Sequence, residues 1–290
     1  MTEQLVLANL LQQKTDSELA ALVRSRKISL QRINDFFDLA KQFLNKKKIE
    51  PVVQSLSREQ LTSIQNGTDN QLVDELLFGA DKKLFESVDS IFQELELPEL
   101  RSVPATEASD VERAAINAHY TLLAITEILV QVDSHPIRAT ARGVAVSDAK
   151  WIGRMLGWDP TEISHAFDLA AISKLIQPMD GRWQLTTNSE RWQESDAKEK
   201  LSWFLNAIVS LDENLPIQIT PGEQIAAVIK NQYPLFKSIH PLSIYANLLS
   251  LAVDGYATKL ITILTEEGAE ACAKEIASHL PKPVNQLIVQ

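Results

Sequence analysis

The chain has 290 residues, of which 45% are apolar and 23% charged, a composition that buries a sizeable core and excludes disordered, collagenous and coiled-coil classes. Its 9 glycines and 12 prolines make up about 7% of the chain against roughly 12% in average proteins, which favours long helices over a turn-rich sandwich or barrel. A net charge of −10 argues against the broad positive field that drives sequence-independent nucleic-acid binding.

The first residues, MTEQLVLANLLQQ, carry Glu3 and lack a basic leader and a small-residue cleavage site, so they do not read as a secretory signal. No apolar run approaches the roughly 20 residues of a membrane span. Cys272 is alone, which excludes an intrachain disulfide and a cysteine-built zinc site. A cytoplasmic protein, not associated with a membrane, is the expectation.

Residues 1–56 form a predicted N-terminal helical pair. The first helix, 17–26, places Leu19, Leu22 and Val23 on one stripe. Ser29 caps the second, which carries Ile33, Phe36, Phe37, Ala40, Phe43 and Leu44 at three- and four-residue spacing, and Glu50-Pro51 closes it. This is the only segment with a positive balance, +3 against −6, −3 and −4 for 57–104, 105–192 and 193–290. Its Lys46, Lys47 and Lys48 suit a solvated helix C-terminus better than a phosphate contact.

A pattern then recurs: two helices, a third strongly apolar helix and a short extended piece, the order of a helix-turn-helix with a wing. In the first module, 57–104, helices at 57–65 and 69–79 precede one capped by Asp81, with Leu84, Val88, Ile91 and Leu95 on one face, and 100–104 forms a stunted wing. The second, 105–192, opens with a buried helix from Asp110 to Val132. Ser147 then caps 148–156, Gly157 ends that helix, and Asp159, Pro160 and Glu162 start a third. Ile163, Phe167, Ala170 and Leu175 line its buried face, and a hairpin turns at Asp180-Gly181.

The third module lies in 193–280. A linking helix from Asp196 to Leu211 turns Leu201, Phe204, Leu205 and Ile208 inward, and helices at 222–233 and 241–253 lead to a turn at Asp254-Gly255. The β-branched stretch 256–264 reads as extended and 266–280 as a last helix started by Glu266-Glu267. Residues 281–290 read as a strand entering a further domain, cut short. The fold class is thus mostly α: a helical pair and about three winged-helix-like modules with short β wings.

No Gly-x-x-x-x-Gly-Lys, His-Glu-x-x-His or Gly-x-Ser-x-Gly occurs, so the sequence offers no nucleotide motor, no metal, no cofactor and no catalytic residue, and it does not read as an enzyme. The positive candidates are Arg138, Arg142, Lys150 and Arg154, within 17 residues around the loop and second helix of the middle module, together with Arg182 on its wing. These suit DNA phosphates. The third helix exposes Glu162, His165, Asp168 and Lys174, a poor set for reading guanine edges, so backbone contact is favoured over base readout. Trp183 and Trp192 are expected to pack, not to stack on bases.

Several stretches, among them TDSELAALVRSR (15–26), PIRATARGVAVSDAKWIGRMLGWDPTEISHAFDLAAISKLIQ (136–177), HPLSIYANLLSLAVDG (240–255) and LPKPVNQLIVQ (280–290), resemble the N-terminal half of actinobacterial XPB-type helicase-associated proteins. The shared features are apolar spacing, glycines and tryptophans. The resemblance implies a non-catalytic, DNA-associated region of a helicase-related protein in DNA repair, positioning DNA or a helicase partner and leading into a further domain. A protein–protein interaction scaffold, or a transcription regulator using winged helices for packing, is the alternative.

Overall fold

The structure is a computed structural model that describes residues 2–29, 33–67, 83–106, 111–211, 218–237 and 240–281. It is mostly helical, with six short strands in two-stranded sheets among the described residues. The chain forms two compact units, Met1–Ser102 with Ile229–Ser238, and Val103–Val228 with Ile239–Gln290. The predicted helix at 69–79, its neighbour Asp81 and the predicted strand at 283–290 fall outside the described residues.

The first unit begins with α1 (Glu3–Gln12), whose Leu7 and Leu11 are fully buried. α2 (Asp16–Ser25) starts at a reciprocal cap between Thr15 and Glu18, and its Leu19, Leu22 and Val23 pack from the edge of the core. Asp35, not Ser29, caps α3 (Phe36–Phe43) by accepting from the amide of Asp38 at 2.8 Å. Phe36 and Phe37 remain partly exposed while Leu39, Ala40 and Phe43 are buried.

The predicted stop at Glu50-Pro51 does not occur: Pro51 lies inside α4 (Lys46–Ser55). An interior proline costs a helix about 3 kcal/mol. Here Ile49 and Val53, each 1% exposed, bury one face on either side of it, and Asn45 caps the start. The three lysines therefore open a helix where they were expected to close one, against the helix dipole. Each has a compensating arrangement nearby: Lys46 pairs with Glu94 at 3.3 Å, Lys48 donates to the carbonyl of Lys27 at 2.6 Å, and the Lys47 amide meets the Asn45 side chain.

α5 (Arg58–Gln65) has the Ser57–Gln60 reciprocal cap, and Leu56 and Leu61, on either side of the expected boundary, join one core with α1, α3 and α4. α6 (Glu86–Gln93) begins at Phe85, which has no capping side chain; Glu3 of α1 takes that part by accepting from the amide of Ser87 at 3.2 Å. Arg58 donates to the carbonyls of Pro98 and Asn231, each at 2.9 Å, and Asn231 donates to that of Arg101. These bonds fix the irregular stretch after α6 in the place where a wing was predicted.

The second unit is built on α7 (Val111–Ser134). Ala114, Ala118, Ile125, Ile128 and Leu129 face inward, but Ile116, Tyr120, Leu123 and Val130 are about half exposed, so this helix is less enclosed than its sequence predicts. By length and composition it could cross a membrane, the one such helix among the described residues, with 56% of its most apolar window buried within the protein.

After α7, β1 (Ala139–Thr140) pairs with β2 (Gly143–Val144). α8 (Val146–Leu156) follows and ends at Gly157 in the left-handed conformation. α9 (Pro160–Ile172) carries the predicted cap: the Asp159 carboxylate accepts from Thr161, and Glu162 accepts from the Asp159 amide. β3 (Ile176–Met179) and β4 (Arg182–Leu185) form the hairpin, with Asp180 and Gly181 both at positive φ as the tight turn requires. Trp183 packs on Phe167.

α10 (Thr187–Glu194) and α11 (Ala197–Val209) bring Trp192 onto Phe204, ring centroids 5.5 Å apart, and both rings are fully buried. Leu201, Phe204, Leu205 and Ile208 of α11 all point inward, as their spacing predicts.

α12 (Ile225–Gln232) and α13 (Pro241–Tyr245) are shorter than expected, and β5 (Ala252–Val253) pairs with β6 (Tyr256–Ala257) around Asp254-Gly255. The extended stretch expected to run to Leu264 stops at β6. α14 (Leu260–Glu266) takes its place because Leu260, Ile261 and Leu264 are buried at helical spacing and the Thr258 hydroxyl accepts from the Leu260 amide. Glu266 and Glu267 consequently end α14; Gly268, at φ 91°, separates them from α15 (Ala269–Ser278).

Residues 104–106 pair with 222–224, which in turn pair with 255–257. A Cβ on Gly222 would stand 2.3 Å from the carbonyl oxygen of Thr106, and its φ is 88°; only glycine fits this approach.

Candidate nucleic-acid interface

The placement of the candidate cations follows from how the 137–146 loop is held. Its first residues add an edge to the β3–β4 hairpin: Trp183 donates to the carbonyl of Ile137, Ala139 donates to that of Gly181, and Arg138 lies opposite Arg182. Opposed residues of an antiparallel pair share one side of the ribbon, so Arg138 and Arg182 do so.

Arg138 then crosses to the start of α8. Its guanidinium donates to Asp148, with contacts of 3.1 and 3.4 Å, and to the Ser147 hydroxyl, while its amide donates to Asp148 at 2.9 Å. Burial pushes the Asp148 carboxyl up, but these hydrogen bonds from Arg138 and Ser147 outweigh it and hold the group below its ordinary value. The Asp148 hydrogen bond raises Arg138 in return. Ser147, predicted as a cap, is instead the second residue of α8 and part of this clasp; Ala145 precedes the helix without a capping side chain.

The other four predicted cations are exposed and form no ion pair with any described residue. Arg142 sits in the β1–β2 turn, where Thr140 accepts from its amide. Lys150 and Arg154 are four residues apart on α8, on the face that carries Ser147. Arg182 projects from β4. The clasp thus joins the elements bearing these four cations. Trp151, missed as a candidate in the sequence, lies between Lys150 and Arg154, is 38% exposed, and meets the His135 ring edge-on at 5.2 Å. The signal was present: Trp151 is one residue off the buried stripe of Ala149, Ile152 and Gly153.

α9 is not free to enter a groove. It packs against α7, α8, α11, α13, β2 and β3, and Ile163, Ala166, Phe167, Leu169 and Ala170 are fully buried. Of the four residues predicted to be exposed, Glu162 and Lys174 are, whereas His165 and Asp168 are half-buried. Burial raises the Asp168 carboxyl against the opposing pull of His165, and Gly143 approaches so closely that a Cβ there would lie 2.9 Å from its oxygen.

Two clefts of about 910 and 820 Å³ are lined by none of Arg138, Arg142, Lys150, Arg154 and Arg182. The first is polar, with Lys198 paired to Glu270 at 3.2 Å and Arg191 stacked over Trp203; the second is mainly apolar, around Leu242, Ile261 and Leu264. No group of three metal-ligating side chains occurs among the described residues. Cys272 is buried, its Sγ donates to the carbonyl of Leu260, and burial with nearby Glu275 pushes its thiol up to about 12. It is a packing residue and a poor nucleophile.

The chain matches no protein-family model, no curated protein and no solved structure.

Proposed function

We propose that this chain is a non-catalytic, DNA-associated region of a helicase-related protein, and that Arg142, Lys150, Arg154 and Arg182 contact DNA phosphates. The observation that carries the reading is the set of four unpaired cations on elements joined by the Arg138–Asp148 clasp. The element order from α7 to β4 supports a winged-helix-like module: a long helix, the short β1–β2 pair, two helices and the β3–β4 hairpin. On this reading Arg138 shapes the surface without touching DNA. The resemblance to XPB-type helicase-associated proteins adds a helicase as the partner, and the chain positions that helicase or its DNA.

Enclosure of α9 on several sides favours one second reading, a protein-interaction scaffold in which these modules serve as packing units. Fluorescence titration of labelled duplex, forked and single-stranded DNA at low salt separates the two. DNA association predicts salt-sensitive binding that falls about tenfold or more when Arg142, Lys150, Arg154 and Arg182 are all changed to Ala. No binding, or binding indifferent to the four changes, leaves the scaffold.

A further inference from the structure

Aromatic side chains dominate the energetics of cores and interfaces, yet α8 holds Trp151 on its outer face, 38% exposed. At about 100° per residue, Lys150, Arg154, Ser147, Trp151 and Met155 follow one another round an arc of about 140°, opposite the buried Ala149, Ile152 and Gly153. All five are exposed. Arg154 stands three residues from Trp151 and is its neighbour on the helix surface. Neither Arg154 nor Lys150 forms an ion pair with any described residue. The one acid of α8, Asp148, is held by Arg138.

The ring is supported as well as exposed. His135 meets it in a T-shaped contact at 5.2 Å, which occupies at most one of its two faces. No other ring and no cation lies over it among the described residues.

From this arrangement we infer that Trp151 is a stacking platform for an unpaired base, and that the DNA bound here is single-stranded. The inference rests on the phosphate contacts proposed for Lys150 and Arg154 and adds the base to them. Inside a duplex both faces of each base are covered by its neighbours in the stack, so an indole on a helix surface has no base to lie against. An unpaired strand frees those faces, and a strand whose phosphates meet Lys150 and Arg154 brings a base to the ring beside them. Aromatic rings and backbone cations on one surface are the combination by which proteins hold single strands. A protein partner would need carboxylates placed for both cations as well as a pocket for the ring, whereas every nucleotide of a single strand supplies an anion and a planar face together.

Titration of the full chain at low salt with three labelled probes of one length tests this: a thymine single strand, its duplex with adenine, and a strand of abasic residues. The thymine strand should bind more tightly than the duplex, and at least about fivefold more tightly than the abasic strand. Trp151→Ala should lose that fivefold advantage and Trp151→Phe should keep most of it. Duplex and abasic binding by Trp151→Ala should stay within about twofold of the parent, which also shows that the variant is folded. Tighter binding of the duplex by the parent, no loss in Trp151→Ala, or a loss common to all three probes each overturns the stacking role and leaves the phosphate contacts standing. Failure of every probe to bind overturns those contacts and the inference together.

Discussion

At Asp159 the carboxylate accepts from the amide of Thr161 at 2.8 Å and starts α9. That bond holds its pKa below the ordinary value of 3.8. A carboxyl with a depressed folded pKa contributes stability above its unfolded value and loses it as pH falls through the folded one. Asp159→Ala should therefore lower the thermal midpoint by about 2–4 °C at neutral pH, with the gap to the parent closing in strong acid; a gap that persists there would remove the charged cap as its cause. Arg138→Ala should lower the midpoint as well, because it strands the Asp148 carboxylate, yet leave DNA affinity within about twofold. That pairing of outcomes distinguishes a clasp from a phosphate contact. Gly222→Ala should cost more than about 1 kcal/mol in chemical denaturation, since the conformation and the Thr106 carbonyl both exclude a Cβ.

Among the elements, the junction of α10 and α11 is the most specific packing. Trp192 fills it against Phe204, with Lys200 over the indole at 4.8 Å. Trp192→Ala should cost about 3–5 kcal/mol, read as a lowered urea midpoint; a loss under 1 kcal/mol would mean that the two helices close the gap by sliding. Elements whose starts rest on local chemistry were legible in the sequence: the Asp159 cap, the Gly157 stop, the turns at Asp180-Gly181 and Asp254-Gly255, and the inward stripe of α11. Those decided by distant partners were not. α6 is capped by Glu3 from 84 residues away, and α14 forms where β-branched residues suggested a strand because burial of Leu260, Ile261 and Leu264 overrides propensity. α4 continues through Pro51 for the same reason. The candidate site divides in the same way. Its five cations were visible as a cluster, but the ion pair that removes Arg138 from the free set spans ten residues, and sequence spacing gave no sign of it.

For the whole molecule the opposing quantities are a local cluster of four unpaired cations and a net charge of −10. Each phosphate neutralised contributes about −0.9 to the slope of log K against log salt on duplex DNA, so four contacts set a limit near −3.6. The remaining charge acts in the other direction. Repulsion between an acidic protein and DNA is strongest at low salt and is largely screened beyond about 8 Å at 0.15 M. Adding salt therefore breaks the contacts while relieving the repulsion, and the measured slope should be negative but shallower than −3.6. Reversing acidic charge elsewhere separates the terms: Glu266→Lys with Glu267→Lys, at the exposed end of α14 where neither forms an ion pair with a described residue, should raise affinity at low salt and have little effect at 0.15 M, because these positions lie outside the four proposed contacts. A slope steeper than about −6 would require cations beyond these four, with the lysines of α4 as the next basic cluster to test.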